Sequence, residues 1–247
     1  MPPRPLVFSA GLQLTLLGSA LFAAALALQS GAAFGWRGFG AALACFGVVA
    51  MLVLLGLGQH APHRRFGVAN AVTLTRAAVD ALMVGVVTEM LLGGSLVTDA
   101  TLSWILVVTA TAALLLDGVD GWAARRTGMA SDFGARFDME TDALFLLMLS
   151  LLVHATGKVG IWVLASGSMR YAFVLAAWSW PWLAGQLPPR RRRKVIYAVQ
   201  VSVLIAALAP TFSADMAQAA CLVGLALLSC SFGLDCIWLA RQARRGR

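Results

Sequence analysis

Six of the 11 acidic residues in the chain, Asp117, Asp120, Asp132, Asp138, Glu140 and Asp142, fall between positions 117 and 142. Carboxylates at this density do their chemistry through cations. Their hard oxygens suit Mg²⁺ or Mn²⁺, and no histidine or cysteine lies among them to favour zinc. The segment reads LLLDGVDGWAARRTGMASDFGARFDMETDALFLLMLS, so apolar runs flank the acids on both sides. A charge inside a membrane span costs about 2.5–3.5 kcal/mol on insertion scales and is a functional candidate by default.

Helical geometry sorts these acids. At about 100° per residue, Asp117 and Asp120 lie about 60° apart, with Gly121 and Ala124 continuing the stripe. A second helix is predicted to start near Gly134, and Gly134, Asp138 and Asp142 then share one face. Glu140 points away from that face. Asp132 falls near the helix start, where a carboxylate can cap free backbone N–H groups. The candidate metal ligands are therefore Asp117, Asp120, Asp138 and Asp142. Four facing carboxylates repel one another unless cations intervene, and two divalent ions would neutralise them formally. Such a pair can polarise a pyrophosphate and stabilise the attacking and leaving oxygens of an in-line displacement. The small residues on the two stripes would let a nucleotide approach the helix backbones. Arg125 offers planar, multiple donors to a phosphate.

The elements that must position these residues are membrane helices. The chain is 60% hydrophobic and 12% charged, with a mean hydropathy of +0.82, whereas soluble domains carry about 25% charged residues. Windows of about 20 apolar residues give eight predicted helices, at 8–30, 36–58, 70–94, 98–124, 134–156, 159–183, 195–211 and 214–240. The fold class is thus an all-α integral membrane protein with about eight transmembrane helices and short connections.

The net charge of +8 could suggest nucleic acid, but its distribution argues against it. Arg64 and Arg65, Arg125 and Arg126, Arg190 to Lys194, and Arg241 to Arg247 fall in alternate connections or at the C-terminus. That is the positive-inside pattern of an inner or plasma membrane protein, with both termini and the acidic site cytoplasmic. Anionic lipid headgroups are the expected neighbours of the basic charge. A cleaved signal peptide is the alternative reading of the first helix, but its apolar run is longer than a signal core. Cys45, Cys221, Cys230 and Cys236 lack metal or redox spacing and read as packing residues.

Asp117-x2-Asp120-Gly121-x2-Ala124-Arg125-x8-Gly134-x3-Asp138-x3-Asp142 resembles, without gap or substitution, the signature of the CDP-alcohol phosphotransferase (CDP-alcohol phosphatidyltransferase) family. Upstream, Asn70-x2-Thr73-x2-Arg76 is similar to the weaker motif at the start of that family's first core helix. The resemblance covers roughly residues 66 to 240 and implies a six-helix catalytic core at 66–247, preceded by a two-helix extension at 1–65. It implies that Asp117, Asp120 and Asp138 ligate two divalent cations, Mg²⁺ or Mn²⁺, with Asp142 close by. Asp142 is then the candidate general base for the acceptor hydroxyl. Gly121, Ala124, Arg125 and Gly134, with Asn70 and Thr73, would line the CDP pocket. The implied partners are a CDP-linked lipid donor such as CDP-diacylglycerol and an alcohol acceptor, the nucleotide product being CMP. Similar enzymes are often homodimers.

Other charges admit two readings. Arg170, within the sixth window, and Arg136, within two turns of Asp138 and Asp142, are candidate contacts for a phosphorylated polyol such as inositol phosphate or glycerol phosphate. Each has a structural alternative, an ion pair for Arg170 and an interface anchor for Arg136. Arg76 and Asp80, four apart on one helix, read as an intrahelical pair. Arg190 to Lys194 reads as a topology marker, and His60, His63 and His154 as incidental. Two rival functions are a Mg²⁺-dependent membrane prenyltransferase, whose acidic motifs form two separated blocks, and a transporter, which should show repeats and midplane acids. This chain has one contiguous acidic block and no evident repeat.

Overall fold

In a lipid solvent a spanning segment must satisfy its own backbone hydrogen bonds, so long apolar runs fold as helices. The computed structural model describes residues 2–30, 35–60, 63–92, 100–127, 131–185, 187–188 and 190–245, with side chains for all of these except 30, 119–127, 184 and 245. The described residues form eight α-helices and no strand: α1 (Arg4–Ser30), α2 (Trp36–Gly56), α3 (Val68–Leu91), α4 (Ala100–Thr127), α5 (Asp132–Ala155), α6 (Leu164–Ser179), α7 (Arg191–Leu208) and α8 (Ala214–Arg245). Short 3-10 turns at Leu57–His60, Ile161–Val163 and Pro181–Ala184 adjoin α2 and α6.

Each predicted window overlaps one helix. The sixth differs most from expectation, because α6 stops at Ser179. Trp180 precedes Pro181 and adopts φ −124°, ψ 86°, as the proline ring excludes the helical region for the residue before it. Among the described residues six stretches are long and apolar enough to cross a membrane: α1, α2, α3, α4, α6 with the turn before it, and α8. The other two, α5 and α7, carry their charges in their N-terminal parts, Asp132 to Asp142 and Arg191 to Lys194, and are apolar beyond.

The chain divides into two units, Met1–Met148 and Leu149–Arg247, with the boundary inside α5. In the first unit α2 and α4 both pack on α3, and α1 packs on α2 and α3. Burial is deepest along α3, where 61% of the most apolar window is buried, against 17–28% in the other five spans. Lipid gives no hydrophobic force between helices, so close association depends on small residues at the contact. Ala77, Ala78, Ala81 and Gly85 supply them on α3. Outward positions such as Leu16, Leu55 and Leu115 remain exposed and apolar, as a lipid-facing surface requires.

In the second unit α7 packs on α8. Polar side chains fix their register: Arg192 donates to Asp235 at 2.6 Å and to the Ser231 carbonyl at 3.2 Å. The basic run at 190–194 is therefore partly structural. Lys158 donates to the carbonyls of Ala207 and Ala209, at 3.2 and 2.6 Å, satisfying groups left open at the end of α7.

Candidate active site

The site begins on one buried stripe of α3. Asn70, Thr73 and Arg76 recur every three residues and are 6%, 3% and 1% exposed. Asn70 Nδ2 donates to the Phe66 carbonyl at 2.6 Å, and Thr73 Oγ1 to the Ala69 carbonyl at 3.1 Å. These bonds hold both side chains against their own helix. Facing Asn70 is Gly134 in the first turn of α5. A Cβ at Gly134 would lie 2.8 Å from Asn70 Oδ1 and 3.3 Å from Ser131 Oγ, so glycine is what lets α5 approach α3 this closely. The two sequence motifs thus meet in space.

Two turns along, the acids converge. Carboxylate oxygens of Asp117 on α4 and of Asp138 and Asp142 on α5 all lie within 4.8 Å of one another. Arg76 reaches all three: Nη1 is 2.8 Å from Asp117 and 3.0 Å from Asp138, and Nη2 is 2.5 Å from Asp142. The Arg76 side chain is only 2% exposed, whereas those of Asp117, Asp138 and Asp142 are 28%, 40% and 26% exposed. The guanidinium forms the floor of the cluster and the carboxylates open outward from it. Three carboxylates and one guanidinium leave a formal excess of two negative charges. An all-oxygen, half-open donor set with that charge fits a hard divalent cation.

The expected Arg76–Asp80 pair is not what the structure shows. Arg76 directs its donors across the helix interface, and among the described residues neither carboxylate oxygen of the buried Asp80 has a hydrogen-bond partner. Cross-helix reach wins over i, i+4 proximity because three carboxylates outbid one.

Residues 66–230 match the sequence profile of the CDP-alcohol phosphatidyltransferase family, about two thirds of the chain. The chain belongs to the CDP-alcohol phosphatidyltransferase family. The family transfers a phosphatidyl group to an alcohol and is typically divalent-cation dependent, and the aspartate cluster is in keeping with both. The matched region starts at Phe66, whose carbonyl holds Asn70, and ends within α8, so α1 and α2 precede it. No match is found among curated proteins or among solved structures.

Of the residues singled out in the sequence, the structure brings together Asn70 with Gly134, and Asp117 with Asp138 and Asp142. Asp120, Gly121, Ala124 and Arg125 lie on α4, but their side chains fall outside the described residues. Arg136 is exposed on α5, and Arg170 is half-buried on α6 in the second unit. Asp132 and Glu140 are exposed and outside the three-aspartate cluster. Two local expectations are corrected. The residue capping α5 is Ser131, whose Oγ accepts the Gly134 N–H at 3.1 Å, and not Asp132. His60 is fully buried with both ring nitrogens hydrogen-bonded, so it is not incidental. The serine immediately before an acidic first turn is an N-cap signal that sequence alone displays; Arg76 and His60 carry no such local signal.

Proposed function

We propose that the chain transfers the phosphatidyl group of CDP-diacylglycerol to an alcohol, releasing CMP, in phospholipid biosynthesis. The meeting of the Asn70/Thr73/Arg76 stripe with Gly134, Asp138 and Asp142 carries this reading. Asn70, Thr73 and Gly134, with Gly121, Ala124 and Arg125, would line the cytidine nucleotide site. Asp117, Asp120, Asp138 and Asp142 would hold two divalent cations, Mg²⁺ or Mn²⁺. Bound there, the cations would supply polarisation of the pyrophosphate and charge stabilisation of the leaving group. Four carboxylates and Arg76 sum to three negative charges, so two divalent ions would leave the site net positive toward an anionic pyrophosphate.

Asp142 would take the proton of the acceptor hydroxyl. The acceptor oxygen would then bond to the phosphorus that carries diacylglycerol, and the bond from that phosphorus to the bridging oxygen would break, releasing CMP. Arg76, bonded to Asp142 at 2.5 Å, would orient the base before it acts. A phosphorylated polyol is the proposed acceptor class, with the exposed Arg136 as its anion contact. The alternate basic connections support a cytoplasmic site with both termini on that side.

Nucleotide selectivity tests the family chemistry without needing the acceptor. With Mg²⁺ present, CDP should raise the melting temperature of the detergent-solubilised protein, and UDP and a prenyl diphosphate should do so less. Equal stabilisation by UDP, or stabilisation by the prenyl diphosphate alone, would contradict the reading.

A further inference from the structure

His60 ends the 3-10 turn after α2, six residues before the family-matched region begins. Its side chain is 0% exposed and packs edge-on against Phe133, with ring centroids 5.8 Å apart. Nε2 lies 3.0 Å from the Arg65 carbonyl, and Nδ1 lies 2.7 Å from Ser131 Oγ. A carbonyl can only accept, so Nε2 carries the proton, and in the neutral ring Nδ1 is then an acceptor. The Ser131 hydroxyl therefore donates to Nδ1, leaving its lone pairs for the Gly134 N–H, 3.1 Å away. The result is one directed chain, Gly134 N–H to Ser131 O–H to His60 to the Arg65 carbonyl.

The chain anchors the first turn of α5 to the N-terminal hairpin, and two further contacts reinforce the anchor. A Cβ at Gly56 would lie 2.6 Å from the Phe133 ring, so α2 presents bare backbone to α5. On the other side, Ser9 Oγ of α1 accepts the Phe66 N–H at 3.0 Å, steadying the residue whose carbonyl holds Asn70.

We propose that His60 is a positioning residue for the transfer reaction. It fixes the start of α5 through Ser131, and thereby the approach of Gly134 to Asn70 and the placement of Asp138 one turn further on. The hairpin of α1 and α2 then acts as a brace for the nucleotide site, although it lies outside the matched region. The effect on nucleotide affinity rests on the function proposed above; the effect on α5 does not.

The experiment compares wild type with His60→Ala, His60→Asn, His60→Gln and Ser131→Ala in detergent. Two readouts are hydrogen exchange of the Gly134 amide and calorimetric CDP affinity with Mn²⁺. A lost N-cap is worth about 1 kcal/mol, so His60→Ala and Ser131→Ala should each speed exchange and weaken CDP binding about fivefold. A double variant carrying His60→Ala and Ser131→Ala, added to the set, should be no worse than either single one, because both cut the same chain. An asparagine carboxamide oxygen can replace Nδ1 as acceptor for Ser131, whereas a glutamine can replace only the contact to Arg65. His60→Asn should therefore stay within about twofold of wild type, the size of effect expected when a cap interaction is kept, and His60→Gln should resemble His60→Ala. The proposal is overturned if His60→Ala exchanges like wild type, if asparagine rescues no better than glutamine, or if the two losses add. Failure of wild type to bind CDP would count against the proposed function alone, since the exchange measurement still decides the role of His60.

Discussion

Replacing Arg76 with methionine should destabilise the protein by about 3–5 kcal/mol, the usual cost of removing one partner from a buried ion cluster. Methionine keeps most of the stem volume, so the loss reports charge and not a cavity. Asp117, Asp138 and Asp142 would then face one another with no internal cation, although all three contact Arg76 within 3.0 Å in the wild type. Stability should come to depend on added cations. Any ligand that binds the folded state alone stabilises it by mass action, and the variant has more carboxylate charge to offer. The melting temperature of Arg76→Met should therefore rise more on adding Mn²⁺, and fall further on adding EDTA, than that of wild type. A variant that melts like wild type and ignores Mn²⁺ would show that the arginine is not the counterion of the cluster. Arg76→Lys should recover only part of the loss, because a point charge cannot reach three carboxylates in the fork geometry of a guanidinium.

Asp142→Asn should lower turnover by about 10²- to 10⁴-fold, the range that general acid–base catalysis supplies. The carboxamide oxygen can still accept from Arg76 Nη2, now 2.5 Å from the carboxylate, so the helices should keep their places. Affinity for CDP should stay within a few-fold of wild type, because Asn70 and Gly134 lie two turns away on the same pair of helices. That split between turnover and binding separates a base from a structural acid. Normal turnover in Asp142→Asn would remove Asp142 from the chemistry, and a parallel collapse of binding would make it a structural residue.

Much of this arrangement was legible in the sequence because membrane helices announce themselves by length and apolarity. Differences at the ends have local causes. α7 starts at Arg191 and α8 runs to Arg245 because arginine and lysine are good helix formers whose long stems can carry charge out of the apolar layer. The spacing of Gly134, Asp138 and Asp142 was legible for the same reason: a stripe within one helix is a property of that helix. Arg76 was not. Sequence offered it the acid one turn away, and only the packing of α3 against α4 and α5 revealed three better partners. His60 and Ser131 are separated by 71 positions, so no periodicity could connect them. The acceptor is illegible for a further reason, since an exposed arginine marks an anion without naming the alcohol that carries it.

If the cluster of Asp117, Asp138 and Asp142 over Arg76 is the catalytic centre of phosphatidyl transfer, the reaction must depend on divalent cations and on Asp142. That dependence is tested most directly by incubating the purified protein with CDP-diacylglycerol, Mn²⁺ and a mixture of alcohol acceptors, then measuring CMP and lipid products by mass spectrometry. One new phosphodiester lipid should form in equal amount to CMP, with both lost on adding EDTA and on Asp142→Asn. CMP release that persists undiminished in EDTA, or no phosphodiester with any acceptor, would contradict it.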